Sequence, residues 1–78
     1  MARKGLRNED LVKRIRGKAK IKSKARHYPY IVQISRHEHV WCDSRGTRYL
    51  DTRTGSKRYT ELSYRTPKKK LEDILRKI

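Results

Sequence analysis

The chain is short of the residues that build covalent frameworks, membrane spans or large aromatic cores. Its 78 residues include one cysteine, two prolines and no phenylalanine. A single cysteine excludes an intramolecular disulfide and is typical of a reducing compartment. No apolar run approaches the roughly 18 residues of a membrane-spanning helix, and the charged N-terminus lacks the apolar stretch of a signal peptide. We therefore expect a soluble cytoplasmic protein.

Acidic residues are also scarce. Eight Asp and Glu stand against 23 Lys and Arg, which gives a formal net charge of +15. Only 33% of the residues are hydrophobic, so the core of so small a chain must be modest. This much positive charge opposes compaction unless a polyanion supplies counter-charge, and release of the polyanion's counterions drives association. The charge balance predicts nucleic acid as the partner.

The positive charge is concentrated at the two ends of the chain. Residues 1–28 carry 11 Lys and Arg against 2 acids, residues 29–64 carry 6 against 4, and residues 65–78 carry 6 against 2. We therefore divide the chain into a basic N-terminal arm, residues 1–28, and a small domain, residues 29–78.

The arm combines a helical pattern with an alternating one. Asn8 can cap a helix whose apolar stripe recurs every four residues, at Leu11, Ile15 and Ala19. Beyond it, five cations occupy every second position: Lys18, Lys20, Lys22, Lys24 and Arg26. In an extended chain they would lie along one edge, about 6.6 Å apart, and could follow a phosphate backbone. We predict this extended basic edge. A basic helix lying in a groove and a solvated tail are the alternatives.

The middle of the chain predicts strands. Residues 30–35, 39–43 and 48–51 are short stretches rich in β-branched and aromatic residues, and residues 57–62 form a fourth. Turn sequences at 44–47 and 51–55 separate them, and Gly55 suits a positive φ. Because these connections are short, we expect an antiparallel meander of three or four strands.

The last segment predicts a helix that packs on the sheet. Thr66 would cap it, Pro67 would take its first position, and an apolar stripe follows at Leu71, Ile74, Leu75 and Ile78. The fold class is therefore α+β, a small β-meander packed by a C-terminal helix and preceded by the basic arm with its one helix. Three lysines crowd the first turn of the C-terminal helix, where the helix dipole disfavours cations. A bound phosphate would stabilise these lysines there. Equally compatible with the sequence is that three exposed lysines tolerate a small electrostatic penalty that solvent screens.

Candidate catalytic and metal-binding residues are few. His37, His39 and Cys42 offer zinc-ligand types, with His27 or Asp43 as a fourth, but a strand would direct His39 and Cys42 to opposite faces. His37 and Glu38 suggest acid–base cleavage of RNA, yet no Ser/His/Asp grouping, glycine-rich phosphate loop or carboxylate pair accompanies them. We expect no enzymatic activity, metal, cofactor or small-molecule substrate, and keep a small endoribonuclease as a minor alternative.

Tyrosine and tryptophan supply all the aromatic rings. Trp41 and Tyr59 are interleaved with arginines, so they can form a sheet face that stacks on bases or enters a groove. The alternative is that such rings fill the core, and we expect some inside and others outside.

Two stretches show resemblances to known families. The stretch from Trp41 through Tyr59 resembles part of a WW domain, with shorter strand spacing and no second Trp at Tyr59. Residues 39–78 are similar in layout to the three-stranded sheet and C-terminal helix of integrase arm-binding and AP2-type DNA-binding domains, with a similar Asp-x-x-Thr-Gly turn. That resemblance implies a sheet that enters the DNA major groove. The whole chain also resembles small ribosomal proteins in style.

These observations predict a non-enzymatic nucleic-acid-binding protein, most simply a structural RNA-binding protein of ribosomal type. The alternative is a DNA-binding protein, chromatin-like or a small regulator. A membrane partner is not expected, because the apolar stripe of the first helix is narrow. We expect association with the ribosome or the nucleoid. The predicted phosphate-binding residues are Arg14, Arg16, Lys18, Lys20, Lys22, Lys24, Arg26, Arg45, Arg48, Arg53, Lys57, Arg58, Lys68, Lys69 and Lys70.

Overall fold

A computed structural model describes residues 7–78 and contains two helices and one four-stranded sheet. The elements in chain order are α1 (Asn8–Ser23), β1 (Tyr30–Gln33), β2 (Glu38–Asp43), β3 (Gly46–Asp51), a 3-10 turn (Thr52–Thr54), β4 (Thr60–Leu62) and α2 (Lys68–Lys77). The predicted α+β meander is confirmed, with four strands. No helix in residues 7–78 is long and apolar enough to cross a membrane. Residues 1–6 of the predicted arm lie outside the described part.

The sheet has the order β1-β2-β3-β4, and every neighbouring pair is antiparallel. The β2–β3 turn is tight because the Asp43 carboxylate accepts hydrogen bonds from the backbone N–H groups of Arg45 (2.9 Å) and Gly46 (2.8 Å). Gly55 ends the 3-10 turn with a φ of 83°, which confirms the predicted positive φ. The last strand is shorter than predicted, because residues 57–59 belong to the connection that precedes it.

Side chains alternate between two faces of the sheet, as the period of a strand requires. The inner face is buried and consists of Tyr30, Val32, Glu38, Val40, Cys42, Thr47, Tyr49 and Leu62. The opposite face is partly exposed. We call it the outer sheet face and define it by Ile31, Gln33, His39, Trp41, Arg48 and Leu50, together with Tyr59, whose ring lies against Trp41.

Both helices pack on the inner face. Their buried residues join those of the sheet in one hydrophobic core, with Leu11, Ile15 and Ala19 from α1 and Leu71 and Ile74 from α2. The helices also run side by side in the same direction. The Asn8 amide donates to the Thr66 carbonyl (2.7 Å) just before α2, and Lys18 Nζ donates to the Leu75 carbonyl (3.4 Å) near its end. The predicted apolar stripes of both helices are therefore confirmed, and α1 is part of the core.

The predicted helix caps are wrong by one residue each. Arg7 occupies the cap position of α1, and the Asn8 side chain instead donates to the carbonyls of Tyr64 (2.9 Å) and Thr66. Pro67 occupies the cap position of α2. The Asn8 side chain thus makes hydrogen bonds to a distant part of the chain and does not cap helix α1.

The extended basic edge predicted for Lys18–Arg26 is also wrong. Helix α1 continues through Ser23, so Lys18, Lys20 and Lys22 are helical, and it ends at Lys24 with a φ of 59°. Burial of Ala19 against the core favours the helix in this segment, and lysine is itself a good helix former. The basic-helix alternative describes this segment up to Ser23.

Candidate nucleic-acid interface

The exposed side of α1 is strongly basic. Beyond its first turn, which holds Glu9 and Asp10, its exposed charged residues are all basic: Lys13, Arg14, Lys18, Lys20 and Lys22. We call these five residues the basic helix face. It is continued by Lys24 and Arg26, which follow the helix. Gly17 and Ile21 lie in its middle, and the Ile21 side chain is 78% exposed. A polyanion can therefore approach the helix backbone closely at Gly17.

Three of the predicted binding arginines are engaged inside the protein. Arg16 donates to the Asp43 carbonyl (2.8 Å) and lies over the Tyr28 ring, 4.8 Å from its centroid. Arg48 pairs with the Asp43 carboxylate (3.2 Å), and Arg53 pairs with the Asp51 carboxylate (2.7 Å). The guanidinium groups of these three residues are therefore partnered within the protein.

The pairing of Arg53 has an electrostatic consequence. Hydrogen bonds from the Arg53 side chain and backbone hold the pKa of Asp51 at about 2, and the same pair raises the pKa of Arg53. Both side chains stay charged at neutral pH, so Arg53 is already neutralised by its partner.

The other predicted binding residues form no salt bridge within residues 7–78. They are Arg14, Lys18, Lys20, Lys22, Lys24, Arg26, Arg45, Lys57, Arg58, Lys68, Lys69 and Lys70, and all of them are exposed. Unpaired exposed cations keep their charge available for an external anion. Most of them lie in two places, the α1 surface with its continuation and the region around the start of α2, while Arg45 lies apart from both in the β2–β3 turn.

The region around the start of α2 contains a cleft that the sequence did not reveal. Arg58 from the β3–β4 connection and Lys70 from α2 line it together with Tyr49 and Lys77. Lys70 Nζ lies 5.4 Å from the centroid of the Tyr49 ring. The first turn of α2 holds Lys68, Lys69 and Lys70, as predicted.

The outer sheet face carries a pair of aromatic rings. The ring centroids of Trp41 and Tyr59 lie 6.2 Å apart with an interplanar angle of 51°, and a shallow cleft between them is also lined by Asp43 and Arg48. Ile31 is the cross-strand partner of Trp41 and is 49% exposed. This face therefore presents two aromatic rings and the Ile31 side chain to solvent.

The aromatic rings divide between the core and the surface, which confirms the predicted split. Tyr30 and Tyr49 are buried, Tyr28 and Tyr64 are exposed, and the Trp41 and Tyr59 rings are half-buried. Burial raises the pKa of the Tyr59 hydroxyl. The half-buried pair has the mixture of packing and access that a stacking surface needs.

Asp43 contacts two residues of this face, Trp41 and Arg48. Burial would raise its pKa, but hydrogen bonds from the backbone of Arg45 and Gly46 and from the Trp41 ring, with the charge of Arg48, lower it instead. Trp41 Nε1 donates to Asp43 Oδ2 over 3.5 Å. The carboxylate thus pairs with Arg48 (3.2 Å) and makes only a long contact to Trp41.

The histidines and Cys42 do not converge. Cys42 is buried on the inner face, while His39 lies on the outer sheet face, where its Nδ1 is buried without a hydrogen-bond partner in residues 7–78. His37 lies in a loop and faces the Thr52 hydroxyl at 3.2 Å. Within residues 7–78, no group of three His, Cys, Asp or Glu side chains is placed to hold a metal ion.

Glu38 has a structural environment that sequence reasoning missed. Its side chain points into the interior, accepts hydrogen bonds from Ser35 (2.6 Å) and Tyr49, and pairs with Lys77 (2.9 Å). The carboxylate is therefore directed away from His37 and from the surface. The signal in the sequence was the inward position of Glu38 in the alternation of β2, beside Val40.

Comparison with protein-family models, with curated proteins and with solved structures finds no match to this chain.

Proposed function

We propose that the protein is a non-enzymatic nucleic-acid-binding protein, a structural RNA binder of ribosomal type that works in the cytoplasm at the ribosome. The observation that carries this proposal is the basic helix face with Lys24 and Arg26 beyond it, where exposed cations have no carboxylate partner in residues 7–78. A helix fixed on a core presents these charges in a constant arrangement. Phosphate contacts of this kind supply most of the affinity of basic proteins for nucleic acid.

The outer sheet face supports RNA as the favoured partner. Stacking on exposed rings requires bases that are not already paired and stacked, and RNA presents such bases in loops and bulges. The half-exposed Trp41 and Tyr59 rings suit that task.

Duplex DNA is the second candidate partner. The observation that favours it is the open face of strands β2, β3 and β4 opposite α2, with Arg45 exposed in the adjoining β2–β3 turn and without a salt bridge in residues 7–78. Arginine is the residue most often used to read guanine in the major groove.

A binding role is also supported by the environment of the candidate acid–base residues. Glu38 is enclosed by Ser35, Tyr49 and Lys77, and His37 lies in a separate loop contact. A general base must reach the proton that it removes, and the Glu38 carboxylate is turned into the core.

Salt dependence of binding tests the proposal. The test variant replaces Lys20, Lys22 and Lys24 by Gln, and the control variant replaces three exposed arginines outside the predicted site, Arg36, Arg65 and Arg76, by Gln. Both variants lose the same charge. The slope of log K against log salt concentration is negative, and each lost phosphate contact reduces its magnitude by about 0.7 to 0.9.

For an RNA hairpin with an unpaired loop, we expect the magnitude of this slope to decrease by about 2 in the test variant and by less than 1 in the control. Equal slopes in the two variants would show that α1 is not the binding element. Failure of the unmodified protein to bind either RNA or duplex DNA at low salt would reject the function itself. Competition between the hairpin and duplex DNA separates the two candidate partners.

A further inference from the structure

We propose that the outer sheet face is a second nucleic-acid site. It binds unpaired bases, while the basic helix face binds the phosphates of a separate segment. One molecule then holds two segments of nucleic acid at once. This inference rests on the proposed function. It adds the number of nucleic-acid segments that one molecule binds and the kind of group that the second site recognises.

The geometry separates the two surfaces. Both helices pack on the inner face of the sheet through residues such as Ile15 and Ile74, so the sheet lies between the basic helix face and the outer sheet face. The two surfaces therefore lie on opposite sides of the sheet.

The chemistry of the two surfaces also differs. The basic helix face consists of unpaired cations around Gly17 and Ile21. On the outer sheet face, Arg48 is paired with Asp43, and the cross-strand neighbour of Arg48 is Glu61. Attraction of phosphate is therefore weak at the sheet, and stacking of bases on aromatic rings is the interaction that it offers.

The Trp41–Tyr59 pair is built for such stacking. The rings are tilted by 51° and leave a cleft open to solvent, and Ile31 extends the apolar surface on the neighbouring strand. The Trp41 ring is half-buried against Tyr59, which restricts its orientation, and its Nε1 makes a long contact of 3.5 Å to the Asp43 carboxylate. A ring held in place loses little freedom when a base stacks on it.

The same face is a poorer fit for a second copy of the chain. A net charge of +15 on each molecule opposes self-association, whereas a polyanion is attracted from any direction. Polar and charged side chains, Gln33, His39 and Arg48, also interrupt the apolar surface. These features favour nucleic acid as the occupant.

Trp41 is the only tryptophan of the chain, so its fluorescence reports on the outer sheet face directly. The experiment uses the full chain, a short blunt-ended RNA duplex with a fluorescent label, and an oligouridylate. The duplex offers phosphates without unpaired bases. We expect it to bind with the Trp41 emission unchanged, and we expect the oligouridylate then to quench the emission while the anisotropy of the duplex stays high.

A Tyr59→Leu variant keeps an apolar side chain and removes one ring. It should weaken oligouridylate binding roughly tenfold, which corresponds to the loss of one stacked base, and leave duplex binding unchanged. Tyr64→Leu removes an exposed ring elsewhere and should change neither. Trp41→Phe keeps a ring and should retain oligouridylate affinity, so it checks that the site survives substitution.

Three results would overturn the inference. Displacement of the duplex by oligouridylate with the same midpoint as the quenching of Trp41 emission would show one shared site. Binding of oligouridylate without any change in Trp41 emission would place the bases elsewhere. Concentration-dependent dimerisation that shields Trp41 without nucleic acid would assign the face to a second copy. Absence of binding by both probes would reject the proposed function instead.

Discussion

The Tyr49 hydroxyl donates a hydrogen bond to the carboxylate of Glu38 in the interior of the protein. Glu38 is 2% exposed and also binds Ser35 and Lys77, so the contact joins β2, β3, the β1–β2 loop and α2 around one buried charge. Burial alone would raise the pKa of Glu38, but these hydrogen bonds outweigh it and lower the pKa to about 2. Burial and the bond to Glu38 raise the pKa of Tyr49.

The first prediction concerns acid stability. The pKa of Glu38 falls from 4.5 to about 2 on folding, so its contribution is complete above pH 4.5 and is lost as the pH drops toward 2. Glu38→Gln should therefore lower the free energy of unfolding by about 3 kcal/mol at pH 7. Urea unfolding at a series of pH values measures this. The difference between variant and parent should shrink below pH 4.5, and a constant difference would contradict the assignment.

The second prediction tests whether α1 belongs to the core. Ile15 is fully buried between the helices and the sheet, whereas Ile21 in the same helix is 78% exposed. Ile15→Ala should lower the free energy of unfolding by about 2–5 kcal/mol because it leaves a cavity. Ile21→Ala serves as the matched control and should change it by less than about 0.5 kcal/mol. Similar effects of the two substitutions in thermal unfolding would mean that α1 is a detachable arm.

The third prediction uses two glycines with opposite roles. A Cβ added at Gly17, within α1, meets no atom within 4 Å, so Gly17→Ala should stabilise the protein by about 1 kcal/mol through helix propensity. Gly55 has a φ of 83°, and Gly55→Ala should destabilise the protein by about 1–2 kcal/mol. For a domain of this size, each kcal/mol shifts the melting temperature by about 4–8 °C. Shifts of the same sign for both variants would contradict the backbone geometry.

The fourth prediction concerns the contact between the starts of the two helices. The Asn8 amide donates to the carbonyls of Tyr64 and Thr66, 56 and 58 residues away in the chain. Asn8→Ala should lower the free energy of unfolding by about 0.5–1.5 kcal/mol because it removes two hydrogen bonds, one exposed and one part-buried. Ser44→Ala, in the exposed β2–β3 turn, is the control and should be nearly neutral. An N-cap role alone would leave hydrogen exchange of the Thr66 region unchanged, whereas the observed contact predicts faster exchange there.

The strands and the C-terminal helix could be predicted from the sequence because each has a strong local pattern. Alternating β-branched and aromatic residues mark β1 to β3, and the Leu71–Ile74 spacing marks α2. The α1 stripe was also visible. For these elements, local pattern and tertiary packing favour the same structure.

The segment from Lys18 to Arg26 shows where local pattern fails. Alternation of lysine with small residues fits a strand, but Ala19 continues the spacing of Leu11 and Ile15, and its burial decides the conformation. An alanine gives little signal in a sequence. Ala19 fits both the helical stripe and the alternation, and only its packed neighbours decide that the helix continues through it.

Several features of the candidate site depend on contacts between distant residues and could not be predicted. The division of the cations into paired and unpaired ones follows from partners such as Asp43 for Arg48 and Asp51 for Arg53. The cleft that joins Arg58 and Lys70 depends on how α2 lies against the sheet. Sequence spacing contains no information on such pairings until the topology is known.

Helix α1 has a role on each of its two sides. Its inner side fills the core with Leu11, Ile15 and Ala19, and its outer side carries the cations. Any anion that attaches to the outer side in the folded state alone therefore shifts the unfolding equilibrium, by about 2.7 kcal/mol at a hundredfold excess over its dissociation constant. In a protein with so small a core, an anion bound in this way would supply a substantial part of the free energy that keeps the chain folded.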